Sequence, residues 1–415
     1  MRDVNATLTA LAAAYLQPWR GGVTQAAINY AHINWADYRD AQWGGYVPLG
    51  TAHNRLLRVN ILAGKLHYVT CAGSKSVRRI ARQRALLRLL QSVIERHAIP
   101  DLDLVLSISD RPTVPKLAVA DGSTPPPVFG YAKTDRHYSL PFPPVSFDPT
   151  RWPALYARVG SHPPLAARTP KALWRGTCNS LCDMMRSRRC KLPRDAELLP
   201  RLQLLTAASR CPRATDVGIT SAHKNCVGFE AKSPVPISEH ASYALHLHVD
   251  GNGFSGRLDE LLTLGGAVLK QDSPFAAYYY PLLRRGVHFQ PLARNLSNLC
   301  SASGALLADL ADLAGRSHQM ASAASRFARR FLSPEAVALY VVALLRQYAQ
   351  LQRFVPRLHP QAVPWRDDGG GHSQRSDTRK SADQAQRSMV AAAAACSSPA
   401  CCQRHPKACA HRTLN

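Results

Sequence analysis

Residues 243–292 read YALHLHVDGNGFSGRLDELLTLGGAVLKQDSPFAAYYYPLLRRGVHFQPL. Ala244, Leu245, Leu247 and Val249 interleave with His246 and His248, the alternation of a strand. Asp250-Gly251-Asn252-Gly253 must then turn, because Gly and Asn tolerate positive φ. Ser255 is placed to cap a helix over which Leu258, Leu261, Leu262 and Leu264 recur at helical spacing. Gly265-Gly266 ends that helix, and Ala267-Val268-Leu269 begins a second strand that closes on Lys270-Gln271-Asp272-Ser273. Strand, glycine turn, helix and strand make half of a nucleotide-binding α/β unit. In such a unit backbone N–H groups and the helix N-terminus meet a phosphate. Arg257, in the first helical turn, is placed to clamp a diphosphate. Spacing alone also fits an ordinary crossover with a solvated arginine.

The order of features is more specific than the spacing. VDGNGFSGRLDELLTLGGAVLKQDS, then YYYPLL, then VHFQPLARNLSNL resembles the signature of glycosyltransferase family 90, the CAP10-like proteins. That family includes protein O-glucosyltransferases and O-xylosyltransferases of the secretory pathway. Weaker similarity runs from about Val59 to Leu358. The resemblance implies a nucleotide-sugar donor held by Arg175, Asp250, Gly251, Gly253, Ser255, Arg257, Lys270 and Asp272. Where the family has a Glu this chain has Ala277, with Asp272 the nearest alternative acid.

Asp101 to Pro112 (DLDLVLSISDRP) is the second informative stretch. Leu102, Leu104, Leu106 and Ile108 alternate, and Pro112 ends the extended run. In open α/β sheets chemistry sits at the carboxyl ends of strands, which is where Asp110 falls. From position alone a turn aspartate capping the loop is the favoured reading. The resemblance makes it the catalytic base, since family members carry Asp-x-Pro at this strand end. Leu173-Trp174-Arg175-Gly176-Thr177 similarly resembles the family's aromatic-Arg-Gly-Ser/Thr motif, with Arg175 pointing into a cleft. The alternative for Arg175 is a surface salt bridge. His137–Pro144 resembles a family segment on the acceptor side. The stretch from Cys178 to Leu205 departs from the pattern, and no site residue is assigned in it.

The remaining chain sets bounds. With 415 residues it is long enough for two domains. Hydrophobic content is 46%, yet no apolar run approaches the ~20 residues of a membrane helix. The N-terminal residues make a poor signal peptide, because Asp3 interrupts the start and Ala12–Leu16 is a short apolar run. The net charge of +25 suggests a polyanionic partner. The basic residues are dispersed, however, and no aromatic interleaving supports nucleic acid. The cluster at Lys75–Arg88 reads as the solvated face of an amphipathic helix, and a second lies at Arg186–Arg194. Eleven Cys lack the paired spacing of a zinc site and fit disulfides in an oxidising compartment.

In order, the chain predicts two short helices and an aromatic-rich loop to Gly50, a hairpin at Leu57–Tyr68 turning at Ala63-Gly64, and a helix over Ser76–His97. Strands follow at 101–108, 128–131 and 173–175, then a strand and loop over 214–229. Tyr278–Leu283 and Leu296–Phe331 read as helical. Ser333-Pro334-Glu335 opens a last helix. Residues 366–415 are low in complexity and read as a disordered tail, with no retention signal at the end.

The expectation is an α/β chain of the GT-B kind, two Rossmann-like domains facing across a cleft. Residues 1–170 would hold the acceptor and 171–365 the nucleotide sugar, with the last helix packing back on the first domain. The implied reaction is inverting transfer of glucose or xylose from a UDP-sugar to a protein or glycan hydroxyl, in the endoplasmic reticulum or Golgi lumen. No metal or other cofactor and no nucleic acid is expected. The alternatives are a non-catalytic glycan- or nucleotide-binding relative and a basic nucleic-acid binder.

Overall fold

The computed structural model describes residues 2–34, 56–70, 77–178, 200–221, 226, 228–251 and 253–367. The Trp- and Tyr-rich segment from Trp35, the basic cluster at 186–194, Asn252 and the tail from Asp368 lie outside them. Residues 1–365 form one compact unit, built on two sheets.

The first sheet begins as a meander. β1 (Leu56–Leu62) and β2 (Lys65–Thr70) form the expected hairpin, with Leu62 opposite Lys65. Ala63 and Gly64 both take positive φ, 48° and 72°, as a two-residue hairpin loop matched to strand twist requires. β3 (Leu102–Ser107) is buried at every position and runs antiparallel to β1. It runs parallel to β4 (Val128–Gly130), which in turn is parallel to β5 (Leu140–Pro141). The sheet is therefore mixed rather than uniformly Rossmann-like. The helix Val77–Arg96 buries Leu86, Leu87, Leu90 and Val93, as its apolar spacing predicts.

The second sheet is entirely parallel: β6 (Thr169–Gly176), β7 (Thr215–Ile219), β8 (Tyr243–His248), β9 (Ala267–Gln271) and β10 (Gln290–Leu292), in the order β10-β9-β8-β6-β7. The chain leaves β6 for a neighbour on one side and returns as β8 on the other. Between β6 and β8 lies the switch point beside which α/β sheets bind ligands.

Parallel strands are covered on both faces, and β8 is no exception. His246 and His248 are buried, 0% and 2% exposed. His246 Nε2 lies 2.9 Å from the His240 carbonyl and His248 Nε2 3.0 Å from that of Ser255. Burial pushes both imidazoles down to about 3, so they stay neutral.

Other expectations need correction. The helix after the glycine turn spans only Arg257–Leu261, its N-cap is Gly256, and Ser255 makes no cap. Leu262 and Leu264 keep helical spacing because both are buried, but they sit in turns. Five residues leave little macrodipole, so the helix terminus contributes less to anion binding than the sequence suggests. Tyr278–Tyr280 is no α-helix. Only Tyr280–Leu282 forms a 3-10 turn, and Tyr278 stacks on Tyr340 with centroids 4.3 Å apart. The 296–331 stretch is two helices, Leu299–Ala308 and Arg316–Phe331. The expected cap does form at Ser333, whose Oγ accepts from Ala336 N at 3.1 Å and opens Pro334–Leu351. That last helix packs along the first, Arg2–Leu16.

Disulfides join Cys178 to Cys226 and Cys211 to Cys300. Among the described residues no helix is long and apolar enough to cross a membrane.

Candidate active site

β3 ends at Ser107, and Asp110 follows on the loop. Its side chain is about a quarter exposed and lies 3.5 Å from Arg82 Nη2. Arg82 also donates to the Ile108 carbonyl at 3.2 Å. One guanidinium from the helix Val77–Arg96 thus holds both the strand end and its carboxylate. Periodicity assigns Arg82 to the polar face of that helix, and the face it occupies is turned toward a pocket rather than bulk water.

The second sheet meets this loop directly. Phe254 N donates to the Asp110 carbonyl at 2.9 Å. A Cβ on Gly253 would stand 2.5 Å from that same oxygen. Glycine is required here by close approach, because its φ is not in the left-handed region. The glycine turn after β8 therefore abuts the strand end carrying Asp110.

Around this seam lies a pocket of about 390 Å³, of a size that holds a small molecule. Its walls come from the ends of three neighbouring parallel strands: Arg175, Gly176 and Thr177 after β6, Thr220 after β7, and Gly251, Phe254 and Arg257 after β8. Asp110, on the loop after β3, and Arg82, on the helix Val77–Arg96, close it from the other side, and Arg201 enters from the helix Pro200–Ala208. Four arginines and one carboxylate line it.

Each guanidinium is held differently. Arg175 makes a bidentate pair with Asp216 on β7, Nη2 to Oδ1 at 2.9 Å and to Oδ2 at 2.8 Å, and Nη1 donates to the Asp216 carbonyl. Asp216 also accepts from Lys232 and Tyr243. Burial pushes the Asp216 carboxyl up, but these donors outweigh it and hold it well below the usual range. Arg175 Nε is buried with no hydrogen-bond partner among the described residues. Arg175 lines the pocket, and its ion pair with Asp216 is largely buried rather than on the surface. Arg257 Nη1 donates to the Arg175 carbonyl, tying the start of its helix to the end of β6. Burial lowers its pKa.

Arg201 was not legible in the sequence, since it lies in the stretch that departs from any pattern. Its Nη1 donates to the Thr177 carbonyl at 2.7 Å, its Nε to the Asp250 carbonyl at 3.3 Å, and it lies over the Trp174 ring. A Cβ on Gly251 would meet its Nη2 at 2.6 Å. Burial, reinforced by Arg257, lowers the Arg201 guanidinium to about 10.

The remaining named residues sit behind the wall or off it. Asp250 is 8% exposed, and burial raises its carboxyl to about 6 despite a hydrogen bond from Ser273 and the nearby Lys270. It supports the turn from beneath. Lys270 is buried under the Tyr280 and Phe289 rings. Ser255 offers its carbonyl to His248 and does not line the pocket. Asp272 is 54% exposed, pairs with Arg285 at 3.1 Å, and stands outside the pocket. Ala277 is fully buried in the core. No carboxylate takes the place of the missing Glu among the described lining residues, and none form a cluster of metal-ligating type.

Comparison with known proteins bears on all of this architecture. The glycosyl transferase family 90 model matches residues 49–413. Protein O-glucosyltransferase 1 of Homo sapiens is 24% identical over 262 residues, 61% of this chain and 63% of that protein. Protein O-glucosyltransferase 3 of Mus musculus is 24% identical over 295 residues, 68% of this chain and 54% of that protein. The chain thus spans somewhat less than two thirds of the length of these relatives. Among solved structures, a chain from a crystal structure of the GtfA/B complex aligns with 44% of this chain and 37% of its own length, at 16% identity and a TM-score of 0.28, too slight to carry an argument. The family match takes in both sheets and every residue lining the pocket, and by it the chain belongs to glycosyl transferase family 90.

Proposed function

We propose that the chain is an inverting glycosyltransferase that moves glucose or xylose from a UDP-sugar to a hydroxyl of a protein or glycan acceptor. The observation that carries this reading is the shared pocket: Asp110 from one sheet and Arg175, Arg201 and Arg257 from the other line the same 390 Å³ space. Asp110 takes the acceptor proton as the hydroxyl oxygen attacks the anomeric carbon. The bond from that carbon to the diphosphate oxygen breaks, and UDP leaves with the electron pair. The guanidiniums neutralise the charge that develops on it. The proposal keeps the GT-B arrangement, with residues 1–170 toward the acceptor and 171–365 toward the donor.

The names of the relatives favour glucose and a protein acceptor. The two disulfides favour an oxidising compartment, which fits the endoplasmic reticulum or Golgi lumen. Because fixed guanidiniums neutralise the diphosphate in this scheme, no divalent metal is assigned a role, and EDTA should leave turnover unchanged. Incubating the protein with a panel of nucleotide sugars and measuring released UDP tests the reading. Release from UDP-glucose or UDP-xylose supports it, and release from none sinks it.

A second reading has one observation in its favour. Asp110 is the sole acid among the described lining residues, and Ala277 stands where the resembling family has a carboxylate. A relative that binds nucleotide sugars without turning them over would show saturable donor binding in calorimetry and no UDP release.

A further inference from the structure

Immediately past β10 the chain reads Asn295-Leu296-Ser297, an Asn-x-Ser acceptor sequence for N-linked glycan in a secreted chain. Its geometry separates it from other matches. Leu296 takes a φ of 58° and is 1% exposed, so the turn is pinned by a buried leucine while Asn295 and Ser297 face solvent. Ser297 N donates to Asn295 Oδ1 at 3.1 Å, an Asx turn. That bond occupies the amide oxygen and leaves Nδ2, the atom that accepts the sugar, with no partner among the described residues. Neither residue lines the pocket.

The other candidates are less suited. Asn5-Ala6-Thr7 lies inside the helix Arg2–Leu16, with the Thr7 hydroxyl committed to the Asp3 carbonyl. Asn298-Leu299-Cys300 has its asparagine Oδ1 bound to Ala293 N and its cysteine in a disulfide.

We propose that Asn295 is an N-glycosylation site, occupied by an oligosaccharide from a lipid-diphosphate-linked donor. Asn295 Nδ2 bonds to the anomeric carbon as the carbon–oxygen bond to the diphosphate breaks. The lipid diphosphate leaves with the electron pair, and the amide proton passes to the base of the host transferase. The inference rests on the lumenal localisation proposed above, and the Cys211–Cys300 bridge beside this turn reports that localisation independently.

The test expresses the full chain behind a cleavable secretory leader in a eukaryotic host. Peptide:N-glycosidase digestion in heavy-oxygen water is followed by peptide mapping under non-reducing conditions. The expected result is a labelled aspartate at position 295 that disappears in both Asn295→Gln and Ser297→Ala, the latter keeping the asparagine itself. Ser297→Thr should raise occupancy. A chain that carries the Cys211–Cys300 bridge but an unlabelled Asn295 overturns this proposal and leaves the lumenal reading standing. A chain with neither bridge nor label overturns both.

Discussion

Replacing Gly253 by Ala tests whether the seam between the two sheets sets the chemistry. The added Cβ would lie 2.5 Å from the Asp110 carbonyl oxygen and 3.3 Å from its carbonyl carbon. Comfortable contact needs about 3.5 Å, so the two loops must part by roughly 1 Å. Both partners are backbone, and no side chain can swing aside. Backbone strain does not enter, because Gly253 is not among the glycines with positive φ. Overpacking of this kind costs about 1–3 kcal/mol. The Phe254 N–H bond to Asp110, 2.9 Å long, would be stretched beyond use, adding roughly 1 kcal/mol. Urea unfolding should therefore register a loss of about 2–4 kcal/mol. Turnover should fall further than stability implies, since a misplacement of about 1 Å at the reacting centre costs on the order of a hundredfold. Donor affinity should change little, because the guanidiniums stay on the sheet that does not move. Gly256→Ala is the control. Its nearest neighbours would be 3.6 and 3.8 Å away, ordinary contacts. If Gly253→Ala unfolds at the wild-type midpoint and releases UDP at the wild-type rate, the seam does not position the base and the reasoning fails.

Four other outcomes follow from the same structure. Asp110→Asn should reduce transfer by about 10²–10⁴-fold while calorimetric donor affinity stays nearly intact; normal turnover would mean another base. Arg201→Met and Arg257→Met should each weaken UDP binding by roughly tenfold to a hundredfold, read by calorimetry, with unchanged circular dichroism. Asp216→Asn leaves the buried Arg175 guanidinium without its carboxylate and should cost about 3–5 kcal/mol in denaturant unfolding. Asp259 is fully buried between the Ser146 and Tyr279 hydroxyls, and burial raises its carboxyl to about 7. The folded state therefore holds a proton that the unfolded chain releases near pH 4. The stability tied to that proton is complete below about pH 4 and is lost as pH rises toward 7. Asp259→Asn should be more stable than wild type at pH 7.5 and should lack this slope between pH 4 and 7; identical pH profiles would refute it.

What the sequence made legible follows from how locally each signal is encoded. The β8–turn–β9 unit, the β1–β2 hairpin and the Ser333 cap depend on neighbours within a few residues, and each forms. The end of β3 was legible because alternation stops where Pro112 intervenes. Arg82 and Arg201 were not, for opposite reasons. Helical periodicity marks which face of Val77–Arg96 is apolar, but not whether the polar face meets water or a pocket. Arg201 sits in a stretch with no periodic pattern, and its partners, Thr177 and the Asp250 carbonyl, are remote in sequence. The pairing of Arg175 with Asp216 likewise depends on β6 and β7 being neighbours. The alternation of β8 marks a strand but not its setting, because a parallel sheet covered on both sides buries His246 and His248 along with the leucines.

The four arginines that line the pocket share a single lining carboxylate, Asp110. Burial, and after it the neighbouring Arg257, lowers the Arg201 guanidinium, so an anion beside it would restore its charge. Any small polyanion that enters does this before it is recognised as a substrate. Melting temperature should accordingly climb with inorganic pyrophosphate, and buffers containing phosphate will make the protein look sturdier and less active than it is. On the proposed reaction, discharged UDP would meet the same cations, so its release rather than formation of the glycosidic bond is expected to limit turnover.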